Sequence, residues 1–140
     1  MGTCAVDIEK GSREYTVKYA LDSADGVKRL MTDLHRLRSA RFERGDYAAS
    51  DILIDLDSAI IAANLTIRQR QAVYYVYEED MRHEDVAKML DISRRAIGFH
   101  VNAGISKIAT VFSSWGYGEI TAIYVEETEI NENTNEEGNG

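Results

Sequence analysis

The sequence predicts a mainly α fold: a helical hairpin, then three helices spaced as a helix-turn-helix. The two ends of the chain can meet as a short β-ribbon, and an acidic C-terminal tail is expected to be disordered. Three observations predict this. Between Leu65 and Phe112 three amphipathic segments follow one another with very short connections, which is how two short helices brace a third. Between Ser23 and Ala63 two stretches repeat apolar residues at helical spacing. Near either end, Tyr15 to Leu21 and Ile120 to Val125 alternate with period two.

Taken in order, residues 1–22 are an arm or a short strand. Tyr15, Val17, Tyr19 and Leu21 alternate with Thr16, Lys18 and Ala20, and the pattern leaves both readings open. Ser23 opens a helical pattern with Val27, Leu30, Met31, Leu34 and Leu37 on one face. The other face carries Lys28, Arg29, Arg36, Arg38, Arg41 and Arg44. This basic stripe either widens a DNA footprint or is a solvated face whose charge Asp25, Asp33 and Glu43 partly offset. Gly45-Asp46-Tyr47 is a turn signal, and Ser50 can cap the next helix. There Ile52, Leu53, Leu56, Ala59, Ile60 and Ala63 form one stripe while Ile54 and Ile61 add a second. A helix apolar on two faces needs two partners, so 23–63 is expected to be a hairpin used for dimerisation or partner binding.

The unit at 64–113 comes next. Thr66 followed by Gln69 is a capping-box pattern, and Ala72, Val73, Val76 and Tyr77 share a helical face. Glu84 to Leu90 is too short to be stable alone, with Val86, Met89 and Leu90 as its apolar edge. Asp91-Ile92-Ser93 is the turn, Ile92 its apolar plug and Ser93 the N-cap of the third helix. From there Ile97, Val101, Gly104, Ile105, Ile108 and Phe112 form a stripe. Arg94, Arg95, Gly98, Phe99 and Asn102 lie opposite it. Residues 114–126 are read as a loop broken by Gly116 and Gly118, with Trp115 folded back on the core, followed by a strand; 127–140 are the acidic tail.

The formal net charge is −8 in 140 residues, which sits badly with phosphate neutralisation. Its distribution matters more. Glu119, Glu126, Glu127, Glu129, Glu132, Glu136 and Glu137 all lie beyond residue 118 with no basic residue among them, and without these seven the charge is −8 + 7 = −1. Between Ser93 and Phe112 stand Arg94, Arg95 and Lys107 and no carboxylate. The single Cys4 excludes an internal disulfide and fits a reducing compartment, so the cytoplasm is the expected location. No apolar run has the length of a membrane span. His35, His83 and His100 lack ligand partners at metal spacing, no glycine-rich phosphate loop follows a strand, and no nucleophile motif is present. Enzymatic function, a cofactor and a metal are therefore not expected.

The motifs LT-x-R-Q-R from Leu65, E-D-V-A-K-M-L-D-I-S-R-R-A-I from Glu84 and A-G-I-S-K-I from Ala103 resemble region four of the primary sigma factors. Together with Leu53 to Ile60, they are similar to phage and prophage regulators of the autolysin-regulator (ArpU-like) type. The pattern departs where an Arg-Phe-Gly usually closes the first helix; here Val76-Tyr77-Glu78 stands. Nothing resembles the region that melts the promoter −10 element, so a complete sigma factor is not implied.

The resemblance implies a DNA-binding transcription regulator of a bacterial host cell. Ser93, Arg94, Arg95, Gly98, Phe99 and Asn102 would reach bases and phosphates of double-stranded DNA, and Arg68, Arg70 and Lys107 would add backbone contacts. Arginine pairs bidentately with guanine, asparagine with adenine, and an aromatic edge touches a thymine methyl. Phe99 has the alternative of capping the core. Two other functions stay open: a sigma-like accessory or inhibitor acting mainly by docking on RNA polymerase, and a phage DNA-packaging adaptor.

Overall fold

The structure, a computed structural model, describes residues 12–38, 40–42 and 49–127. The turn signal at 45–47, the tail beyond residue 127 and Cys4 lie outside these residues. The elements are β1 (Ser12–Ala20), α1 (Ala24–Thr32), α2 (Leu34–Leu37), β2 (Arg41–Phe42), α3 (Ala49–Ala62), α4 (Ile67–Val73), α5 (His83–Leu90), α6 (Arg94–Ser114) and β3 (Glu119–Glu127). α4 runs on into a wide π turn, Tyr74–Glu78.

The period-two stretches at the two ends do pair. β1 and β3 run antiparallel with Ser12 opposite Glu127, Thr16 opposite Ile123 and Ala20 opposite Glu119. β2 adds to the other side of β3, giving the order β1-β3-β2, and this short third strand has no sequence signal. Tyr19, Ile120, Ala122 and Tyr124 face the helices and are buried, whereas Thr16 and Lys18 are exposed. Packing against helices is what an isolated strand pair needs in order to persist.

Two helical segments precede the helix-turn-helix, as expected, but the first differs in length from its pattern. Val27, Leu30, Met31, Leu34 and Leu37 are all buried, yet the helix breaks at Asp33, the C-cap of α1, and resumes only as far as Leu37. At the break Asp33 is held from β1. Tyr19 Oη donates to Asp33 Oδ2 at 2.6 Å, so the Tyr124 hydroxyl is the donor in its own 2.7 Å bond to Tyr19. Burial, and after it the Asp33 hydrogen bond, push the Tyr19 phenol far above its usual range. Arg36 closes the cluster: Nη1 donates to Tyr15 Oη at 2.6 Å, Nη2 lies 3.4 Å from Asp33 Oδ1, and the guanidinium sits 4.4 Å over the Tyr124 ring. The basic stripe is therefore not one helix face. Arg36 serves the sheet, and Arg41 lies in β2 rather than in a helix.

α3 begins at Ala49, one residue ahead of the expected cap Ser50. Its stripes sort as the pattern requires: Ile52, Leu56 and Ala59 are buried, while Ile54 and Ile61 are 60% and 73% exposed. Tyr117 Oη donates to Asp55 Oδ2, tying α3 to the segment after α6. Trp115 sets its ring edge-on to Phe112 at 5.9 Å but stays partly exposed.

Three chain reversals use a side chain that tolerates left-handed backbone: Asn64, Asp80 and Asp91, with φ of 55°, 57° and 59°. One glycine is fixed by close approach. A Cβ on Gly26 would lie 1.9 Å from the Ala20 carbonyl oxygen, because Ser23 caps α1 by accepting from Gly26 N–H at 3.1 Å and folds the helix start onto the end of β1. Overpacking of this kind costs about 1–3 kcal/mol, occasionally more. We predict that Gly26→Ala destabilises the protein by about 3 kcal/mol, read as a lower midpoint in urea unfolding; an unchanged midpoint would refute the tight turn.

Candidate nucleic-acid interface

The interface is built on α6. Ile97, Val101, Gly104, Ile105, Ile108 and Phe112 are buried, joined by Ala109. A fully buried Ile or Phe contributes about 1.5–3 kcal/mol, so this stripe fixes the rotation of the helix about its axis. α4, α5, α1 and α3 all pack against it. Gly104 lets α4 come close, since a Cβ there would meet Val73 Cγ2 at 3.1 Å.

The entry to α6 follows its sequence signals. Asp91 turns the chain with φ 59° and ψ 46°, and Ile92 N–H reaches back to the Ala87 carbonyl at 3.1 Å. Ser93 Oγ then accepts from Ala96 N–H at 3.0 Å. At the start of α4 both halves of the capping box are made: Gln69 N–H donates to Thr66 Oγ1 at 3.1 Å and Thr66 N–H donates to Gln69 Oε1 at 3.0 Å. α5 is held by Val86 and Ala87, both buried, while Met89 of the expected apolar edge is 46% exposed.

With the rotation of α6 set, Arg94, Arg95, Gly98, Phe99 and Asn102 converge around one open hollow of about 610 Å3, which His83 completes. Phe99 is 74% exposed, so it does not cap the core. The first turn of α6 holds no acidic residue, unlike those of α1 and α5, which carry Asp25 and the pair Glu84 and Asp85. Two arginines at a helix N-terminus oppose the macrodipole, which favours anions there. That arrangement costs some helix stability, and it adds two cations to unpaired N–H groups at one spot, a place suited to a phosphate.

The other expected contacts lie apart from the hollow. Arg68 is exposed on the first turn of α4, with a long 3.4 Å contact to Gln71 Oε1. Lys107 is half-buried and donates to Gln69 Oε1 at 2.9 Å, which bolts α6 to the capping box. Arg70 lines a different, apolar groove with Leu56, Ile60, Val73 and Tyr74. Spacing along the chain gives no sign of His83, because only the turn geometry carries the start of α5 beside Gly98, a Cβ on which would lie 3.9 Å from His83 Nδ1.

Residues 61–108 match the family model described as Sigma-70, region 4, about a third of the 140-residue chain. This stretch is a sigma region-four-like helix-turn-helix. No curated protein and no solved structure matches the chain. Among the described residues no helix is long and apolar enough to cross a membrane.

Burial first, then the nearby charges of Arg94 and Lys28, hold the His83 imidazole below its usual pKa. The sign follows: the neutral form is favoured in the folded state, so this contribution to stability is complete above about pH 6.5 and is lost as pH falls through the lower folded value. We predict that the stability lost between about pH 7 and pH 5.5 is smaller in His83→Gln than in the wild type. Equal losses in urea titrations would show that His83 titrates as in the unfolded chain.

Proposed function

We propose that the protein is a sequence-specific DNA-binding transcription regulator of phage or prophage type, working in the cytoplasm of a bacterial host, with the N-terminal half of α6 in the major groove. The observation that carries this is the convergence of Arg94, Arg95, Phe99 and Asn102 on one hollow inside the stretch that matches Sigma-70, region 4. In this reading Arg94 and Arg95 recognise guanine or phosphate, Asn102 recognises adenine and Phe99 meets a thymine methyl. Ser93 and Gly98 allow close approach, Arg68 takes a backbone phosphate, and Lys107 acts chiefly by holding α6 on α4. The chain works as a homodimer, since reading two half-sites is the usual geometry for this motif.

A second reading is favoured by a separate feature. An apolar groove of about 540 Å3 runs between α1, α2, α3 and α4, lined by Leu34, Leu53, Ile61 and Tyr74 with Arg38, Asp57, Arg70 and Glu78 at its edges. A groove of this kind suits a protein partner, and docking on RNA polymerase is the form the sigma resemblance suggests. Arg70 then serves this surface and not DNA.

A fluorescence-anisotropy salt titration on promoter DNA separates the two. Arg94→Ala/Arg95→Ala is expected to weaken binding, with a salt slope shallower by about one for each phosphate no longer neutralised, and Arg70→Ala to leave it unchanged. DNA binding that the double variant retains in full would remove α6 as the reader and leave the polymerase-docking reading.

A further inference from the structure

α1 and α5 both pack against α6, and at the start of α6 they bring basic groups together. The His83 imidazole on α5 lies within reach of two charges, Arg94 on α6 and Lys28 on α1. Its Nδ1 is 3.9 Å from where a Gly98 Cβ would stand, so the ring lies along the hollow that Arg94, Arg95 and Asn102 line. We infer that Lys28, His83 and Arg94 seat one backbone phosphate of duplex DNA. α1 is then part of the interface, although the family match begins only at residue 61. The seat presupposes the proposed function, since it belongs to the same hollow.

The cations here are not spent on carboxylates. Among the described residues Lys28, Arg94 and Arg95 form no ion pair, and Asp25, one turn before Lys28, forms none with it. The acidic groups around His83 are held elsewhere. Glu84 and Asp85 lie 3.6 and 3.5 Å from Arg82, and Glu79 accepts from the Tyr74 hydroxyl. Glu78 lines the apolar groove, and Asp80 is exposed in its left-handed turn. Like charges gathered without a counter-charge repel one another, and an anion set among them relieves the repulsion. Lysine and protonated histidine offer donors and no acceptor, which suits a phosphate oxygen. Arg94 thereby serves the backbone, and guanine is left to Arg95.

Such a seat has a proton-linked signature. In the free protein burial, and after it the charges of Arg94 and Lys28, hold the His83 imidazole below its usual range. A phosphodiester beside the ring favours its charged form. Binding therefore takes up a proton, and affinity rises as pH falls through the histidine range. One proton supplies at most about tenfold per pH unit.

Fluorescence anisotropy of the full chain on a random-sequence duplex tests the seat, because a phosphate contact is independent of base sequence. Lys28→Ala is expected to weaken binding and to make the salt slope shallower by about one. Arg29→Ala, exposed on the same helix, leaves the slope as it was. At fixed salt the wild type binds about threefold tighter at about pH 6 than at about pH 7.5. His83→Gln abolishes that dependence and His100→Gln keeps it. His83→Lys binds at the higher pH as the wild type does at the lower. A variant that merely loosened the fold would lower affinity without moving either slope. A salt slope that Lys28→Ala leaves intact, or that Arg29→Ala reduces equally, overturns the seat. So does a pH dependence that persists in His83→Gln. If Arg94→Ala/Arg95→Ala also leaves binding unchanged, the proposed function has failed. If that variant loses binding while the Lys28 and His83 variants keep both slopes, only the seat has failed.

Discussion

Burial of one side of α6 is the contact on which the rest of the molecule depends. The Ile97 to Phe112 stripe is the surface that α1, α3, α4 and α5 share, and several of those helices are short. A helix of seven or eight residues such as α4 or α5 has little stability of its own in water and persists because its apolar side is covered. The same burial sets which way Arg94, Arg95 and Asn102 point. Core and recognition surface are two sides of a single helix, so a change that rotates one rotates the other.

The sheet has a different task. By pairing β1 with β3 it ties the start of the described chain to its end, and the side chains on its inner face fix the helices that follow β1. Asp33 is the hinge of that arrangement: it ends α1, accepts from the Tyr19 hydroxyl and neighbours Arg36. A network of this sort, buried at the two tyrosine hydroxyls and open to solvent at Arg36, is robust only while every buried member is satisfied. Here Tyr124 donates to Tyr19, and Arg36 holds the Tyr15 hydroxyl while covering the Tyr124 ring.

Much of this is legible in the residues, and what is not has physical reasons. Period two at Tyr15 to Leu21 and Ile120 to Val125 marks the strands, and Ser23, Thr66 and Ser93 mark three helix starts, because both signals are local. The break at Asp33 is hidden, since Leu34 and Leu37 continue the apolar stripe across it and the residue that holds Asp33 lies on β1. β2 is hidden because two residues carry no period. In the site, the stripe of α6 predicts its own opposite face, so Arg94, Arg95, Gly98, Phe99 and Asn102 arrive together. His83 and the separate position of Arg70 depend on how elements meet in space, which no spacing along the chain encodes.

The wide turn at Tyr74–Glu78 has a consequence for how such a chain can change in length. Its hydrogen bonding reaches five residues ahead, as in Glu79 N–H to the Tyr74 carbonyl at 3.1 Å, and the Tyr74 hydroxyl spans the same interval to Glu79 Oε2 at 2.8 Å. A π turn holds about one residue more than an α turn, so this segment carries a residue of slack that can be gained or lost by exchanging one helix geometry for the other. α6 has none. One residue added between Arg95 and Ile97 would swing the arginines about 100° around the helix axis, out of the hollow and toward the core. Indels are therefore absorbed between α4 and α5, and within the last helix each position keeps its phase.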